Sequence, residues 1–408
     1  MEVTITQGPR AGAIHPGESV KYTDSRTGVD VIRLTSSRSH DHHLYFTSNS
    51  WFDADQKLLF GSDRTGSPNL FAVDVSTTQI RQLTDLPYSG DSQLRGTAFP
   101  FQFASLNPMA LEVYFWWDGH LCALDIETCS LRTLYELPPN YIGDITDVSA
   151  DGKYICTSVY QDVTHDIPAD LGITPFRRAG PGFEQVWKNR PQSKVIAVPV
   201  EGGDPICYHE TNYWIAHVNT SPTRPELLTF AHYGPWTEVD HRIWCCNRDT
   251  HEVWKVRTES VNGTPSPPTV HEYWLADGNR LGYYGLNDKQ QPVYGIINYD
   301  DSKQQEWPIH HQPVDMLPHF HSRDNLLIGD GNDEYPFLTV WEMTDGFAGP
   351  RDLVFHGTSR DVQVTHAHPR LSMAGDRVVF TSNRTGYANV YLANIPDFSD
   401  LDESDIEP

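Results

Sequence analysis

A chain of 408 residues that is 38% apolar and 12% aromatic is globular, with room for two or three ordinary domains or one large repeat-built β domain. A formal charge of −24 excludes a nucleic-acid partner, because phosphate binding needs clustered Lys and Arg. No window approaches the roughly 18 uncharged apolar residues of a membrane-spanning helix, and Met1 to Lys21 lacks the apolar core of a signal peptide.

The expectation is therefore a soluble, cytoplasmic protein with no membrane partner, either a monomer or a homodimer. Cys122, Cys129, Cys156, Cys207, Cys245 and Cys246 form no C-x-x-C pair, which fits reduced thiols in such a protein.

Gly and Pro, 29 of each, punctuate short β-rich runs throughout, and long patterns of helical period are hard to find. Near the N-terminus, Ser50 to Gly66 followed by Asn69 to Asp74 reads as strand, tight turn, strand, turn, strand. Pro369 to Gly386 followed by Asn389 to Leu392 repeats that pattern near the C-terminus. Weaker copies start near Phe99, Gly143, Trp214, His271 and Leu317, which with those at Asn49 and His366 makes seven. The third copy carries a Pro- and Gly-rich insertion, Asp162 to Pro191, expected as a loop or short helices.

Repeats of this length predict an all-β, seven-bladed β-propeller, with six or eight blades as the neighbouring counts. The last blade lacks an outer strand, and the N-terminal run Val29 to Thr35 resembles a blade-ending strand. That run is expected to complete the last blade, because ring closure removes free sheet edges. Residues 1–396 are expected as a single propeller domain, and the acidic tail 397–408 as a disordered end.

In a propeller the first strand of each blade lines the central channel, so equivalent positions converge on one axis. Counting back six residues from the turn that ends each innermost strand gives His217 in blade four, His271 in blade five and His368 in blade seven. The same offset gives Asn49 in blade one and Pro318, next to His319, in blade six. His368 also belongs to Gln363-Val364-Thr365-His366-Ala367-His368-Pro369. An extended H-x-H places both rings on one face, whereas Gln363 can join them only if the backbone bends.

Imidazole suits Mn, Fe, Ni, Cu and Zn, and an amide oxygen favours a harder member of that set. The simplest division gives the metal His271, Gln363, His366 and His368, leaving positions for water and substrate. His217 is then the candidate base, with His232 in reserve. His43, Asn49, His319 and Tyr213 are the candidates for substrate contact.

Five runs carry a family resemblance: His271 to Trp274 (HEYW), Gln363 to Pro369 (QVTHAHP), Trp214 to His217 (WIAH), Phe230 to Pro235 (FAHYGP) and Leu326 to Gly331 (LLIGDG). In their order and spacing they resemble the oligogalacturonate lyases, seven-bladed propeller enzymes of pectin degradation, from about Asp24 to Ile395. The resemblance implies a manganese ion on His271, Gln363, His366 and His368, with His217 as base and an arginine assisting. It implies β-elimination of an acidic oligosaccharide, most simply an oligogalacturonide, to a 4,5-unsaturated uronate product.

The arginine departs from the family's pattern. Its upstream position falls near Gln192, two residues from Arg190, and the Arg-Pro after the base reads Ser221-Pro222, with Arg224 nearby. Two alternatives stand beside this reading: a lyase for a glucuronate- or rhamnose-linked uronide, and a non-catalytic propeller that only binds. A glycosidase lacks its pair of carboxylates at matching blade positions.

Overall fold

The computed structural model describes residues 5–87, 100–163, 165, 181–259, 267–309, 317–344 and 346–404. These fold into seven antiparallel sheets, the blades of a seven-bladed β-propeller. Blade two was expected to begin at Phe99, which lies outside the described residues. Where a single domain was expected, the chain divides into two compact units: Met1–Thr6 with Ser89–Glu306, and Gln7–Tyr88 with Trp307–Pro408.

In the first unit, blades two to five are four-stranded sheets whose strands pair in chain order. The second strands Leu227–His232 and Arg280–Leu286 are buried at nearly every position because each sheet is covered on both faces. One packed layer joins Tyr114, Leu121, Ile155 and Val198, and another joins Cys156, Val195, Val218, Leu228 and Phe230. In the described part of the blade-three insertion, helix Pro181–Lys188 sets Val186 and Trp187 against Tyr213 and Trp214.

The second unit holds blades one, six and seven. The N-terminal strand Asp30–Arg33 pairs with Asn389–Asn394, placing Val31 opposite Ala393 and Ile32 opposite Leu392, and so completes blade seven as expected. Strand Val20–Thr23 adds beyond it. The tail expected to be disordered from Asp397 is packed as far as Ser404. Leu401 is buried among Val31, Leu338 and Leu353, its carbonyl accepts from Arg351, and Ser404 Oγ donates to Asp352. A buried leucine outweighs the surrounding acidity there.

The six cysteines are free, and all but Cys207 are buried. Among the described residues no helix is long and apolar enough to cross a membrane.

Leu34 follows the ring-completing strand. It is fully buried with Trp51, Leu58, Val390 and Leu392, and its N–H donates to Val390 O at 2.8 Å. Leu34→Ala should cost about 3 kcal/mol in chemical denaturation; an unchanged midpoint would show that the closing segment carries no packing energy.

The same unit buries His42 and His356, and burial pushes both down from 6.5 to about 4. The unfolded chain therefore takes up a proton on each ring well before the folded chain does. Stability should be complete above pH 6.5 and fall towards pH 4, by up to about 1.4 kcal/mol per pH unit for each ring. Urea midpoints across that range should show the decline, and His356→Gln should make it shallower.

Candidate metal centre

In the unit formed by residues 7–88 and 307–408, the Gln363 segment takes the bend that the sequence demanded. Gln363–Thr365 is one turn of 3-10 helix, held as Val362 N–H donates to Thr365 Oγ1 and Thr365 Oγ1–H to Val362 O. His366 then leaves in extended backbone, and His368 takes the left-handed conformation at φ 46°. Residues three apart lie on one side of a 3-10 turn, so Gln363 joins the histidines.

His319, His366 and His368 each offer one ligand atom, and these atoms lie within 4.8 Å of one another. Ring centroids stand 4.3 Å apart for His319 and His368, 5.5 Å for His319 and His366, and 5.4 Å for His366 and His368. Two nitrogens on opposite sides of one ion, each about 2.1 Å from it, stand about 4.2 Å apart, so the set fits a single ion with little adjustment. The Gln363 amide is 3.1 Å from His368 Nε2, and exchanging its nitrogen for its oxygen makes it a further ligand in the same place.

Each ring is oriented by what its other atoms hold. His319 Nδ1–H donates to Asp330 Oδ2 at 2.9 Å and its backbone N–H to Asp330 Oδ1 at 2.8 Å. His366 Nε2–H donates to the Arg360 carbonyl at 3.1 Å. This leaves Nε2 of His319 and Nδ1 of His366 as the nitrogens able to ligate, since a neutral imidazole offers one lone pair. Tyr45 meets His368 edge-on at 4.9 Å, and Phe46 lies 5.0 Å from His319.

His43, expected at substrate, is buried with both ring nitrogens engaged. Thr381 Oγ1–H donates to its Nδ1 at 2.7 Å, and its Nε2–H donates to the His368 carbonyl at 2.7 Å. Burial pushes its pKa down to about 3, so the ring stays neutral. The geometry makes it a support for His368. Asn49 caps its own turn, its Nδ2 donating to Trp51 O and its Oδ1 accepting from Trp51 N–H.

His217 and His271 belong to the other unit, where the repeat alignment has a structural counterpart. In blade four the register shifts between Ala216 and Asn219, and in blade five between Val270 and Tyr273. His217 and His271 stand at those β-bulges at φ 55° and 57°. His368 takes the matching conformation in blade seven, between the Ala367 carbonyl bonded to Thr381 N–H and the Arg370–Val379 pair. A bulge re-aims a side chain at the cost of a ladder bond.

Blade three has the same shift between Gly143 and Thr146, and it places Asp144 there. Reading for histidine passed over this residue, and the six-residue offset from the Asp151-Gly152 turn lands on its neighbour Ile145. Asp144 accepts from His217 N–H at 3.0 Å and from Ser158 Oγ–H at 3.3 Å, and burial pushes its pKa up to about 6. Arg242, also missed, pairs with Glu272 through Nε at 3.1 Å and Nη2 at 3.3 Å, with both residues buried.

Three further candidates stack together in this unit. The Arg190 guanidinium lies 4.0 Å over Tyr213, and Tyr213 stacks on His232 at 4.2 Å. His232 Nδ1–H donates to Asp240 at 2.7 Å, while the Tyr213 hydroxyl accepts from Trp187 Nε1–H and Asp240 N–H. Arg224 is part-exposed, bonded to Glu226 at 2.8 Å and stacked on Tyr299.

The description of the matching family model is oligogalacturonate lyase, and it covers residues 17–399. The chain is 28% identical to an oligogalacturonide lyase of Pectobacterium atrosepticum, over 92% of this chain and 96% of that protein. It is equally 28% identical to an oligogalacturonate lyase of Dickeya dadantii, with the same coverage. Among solved structures, an oligogalacturonate lyase in complex with manganese matches with a TM-score of 0.80 at 24% identity, over 95% of this chain and 98% of that one. An oligogalacturonate lyase of Vibrio parahaemolyticus matches with a TM-score of 0.78 at 24% identity, over 95% and 99% of the two chains. With a family match over nearly its whole length, the chain belongs to the oligogalacturonate lyase family.

Proposed function

We propose that this protein is a manganese-dependent lyase that cleaves oligogalacturonides by β-elimination, giving 4,5-unsaturated uronate ends. The observation that carries this reading is the set of His319, His366 and His368, joined by Gln363, in a chain of this family. When bound, a divalent cation neutralises a uronate C6 carboxylate and makes the C5 proton more acidic.

The protein's own part is to hold three neutral imidazoles and an amide in place and to supply a base. We assign the ligand role to His319, His366, His368 and Gln363. His271, expected as a ligand, then joins His217 as a candidate base. Both stand at matching bulges, and His271 is followed directly by Glu272, the partner of Arg242. The base accepts the C5 proton as the O4 glycosidic oxygen departs. Arg242 pairs with Glu272, the residue directly after His271, and that tie to a candidate base makes it our choice of assisting arginine over Arg190 and Arg224.

For a protein of charge −24, a polyanionic substrate also requires a locally positive receptor, which a cation among neutral rings supplies. Six free cysteines suit a reducing compartment, and we place the protein in the cytoplasm.

Incubation with oligogalacturonides and Mn²⁺ should raise the ultraviolet absorbance of the conjugated uronate product; no rise on any uronate oligosaccharide would overturn the lyase reading. His319→Ala and His368→Ala should lose bound manganese. Removing the true base should lower kcat by about 10²–10⁴ while metal content is kept, so parallel metal and rate measurements on His217→Ala and His271→Ala identify it. Loss of metal in His271→Ala with retention in His319→Ala would return the ligand role to His271.

A further inference from the structure

Arg360 stands at the junction of two of the ligand anchors. Its carbonyl accepts His366 Nε2–H at 3.1 Å. Its guanidinium reaches the other way: Nη1–H donates to Gly331 O at 2.7 Å and Nη2–H to Leu317 O at 3.1 Å. Those carbonyls flank the His319–Asp330 pair in the chain, Leu317 two residues before His319 and Gly331 directly after Asp330. Nη1 also lies 3.6 Å from Asp330 Oδ1, the atom that accepts His319 N–H. One residue therefore grips the anchor of His319 with its side chain and that of His366 with its main chain.

The backbone is strained to allow this. Arg360 sits at φ 53°, a conformation that is costly for a non-glycine residue and persists where the surroundings over-determine it. Gly331 sits at φ 57°, where an added Cβ would stand 2.3 Å from Tyr335 O. Both segments are thus committed to unusual geometry at the place where the guanidinium joins them. The Arg360 side chain is only 9% exposed, and Asp330 is fully buried. A fork with several donors suits two divergent carbonyls and a carboxylate, which a lysine ammonium cannot match.

We propose that Arg360 is the positioning residue of the metal centre, orienting His319 through Asp330 and His366 through its own carbonyl, and so setting the affinity for a hard divalent cation. This rests on the ligand set of the preceding section. Partners that orient ligating histidines typically govern metal affinity by about 10–100-fold.

The test is titration with Mn²⁺ alone, without substrate, following free Mn²⁺ by electron paramagnetic resonance, beside melting of the metal-free protein. Arg360→Gly, which relieves the strained φ and removes the guanidinium, and Asp330→Asn should each weaken binding about 10–100-fold. Arg360→Lys should fall between them and wild type, and it carries the test where Arg360→Gly does not fold. Because both residues act through His319, the losses in Arg360→Lys/Asp330→Asn should combine to less than their product. Wild-type Mn²⁺ affinity in the Arg360 variants, with metal lost in His319→Ala, would overturn the proposal and leave the ligand set standing. Wild-type affinity in His319→Ala would overturn the ligand set and the proposal together.

Discussion

A buried neutral imidazole has one N–H and one lone pair, and the protein must place both. At this centre that constraint determines the neighbours. His319 can offer Nε2 to an ion only because Asp330 takes Nδ1–H, and His366 can offer Nδ1 only because the Arg360 carbonyl takes Nε2–H. His368 is fixed from behind, its carbonyl accepting from His43, which is in turn set by Thr381. The shared role of these partners is geometric: each converts a ring with two possible tautomers or orientations into one with a single direction for ligation.

The propeller repeat supplies a second way of aiming side chains. A regular strand alternates its residues between two faces, and a bulge departs from that alternation at one point. His217, His271 and His368 share the left-handed conformation at such points, and Asp144 occupies the corresponding register in blade three. An ordinary L-residue enters this region at a cost, so its recurrence in different blades reflects a shared construction rather than a local accident. At this repeated register the chain carries imidazoles on left-handed residues in three blades and, in blade three, a carboxylate outside that conformation.

What could be read from the amino-acid order follows from this. Strand, turn and strand repeat at nearly constant length, so the seven blades, the closing strand and the common offset of three histidines were all legible. The H-x-H pair and the bend bringing Gln363 to it were local and legible too. His319 was read as a substrate contact rather than a ligand because blade six shifts by one position: the offset lands on Pro318, and the ring that meets His366 and His368 is the next residue. Asp330 lay within the LLIGDG run, but nothing in its spacing announces that its carboxylate meets a ring eleven residues earlier. Arg360, Arg242 and the double engagement of His43 depend on long-range packing, which no periodicity encodes. The acidic tail was misread for a related reason: one apolar residue, Leu401, found a place in the core, and composition alone does not show that.

Charge connects these features. The chain carries 54 acidic against 30 basic side chains, so its surface should repel a polyuronate. Its buried arginines are largely committed: Arg242 to Glu272, Arg257 to Glu306 and Arg360 to Asp330 with two carbonyls. Arginines compensated in this way give positional order more than net positive field. The proposed ligand set is neutral, and that suits such a substrate. It would leave the full charge of a divalent ion available to the uronate, whereas aspartate or glutamate ligands would cancel it. The Asp330 carboxylate meets His319 at Nδ1, the nitrogen turned away from His366 and His368 in this assignment, so it orients that ring without becoming a ligand itself.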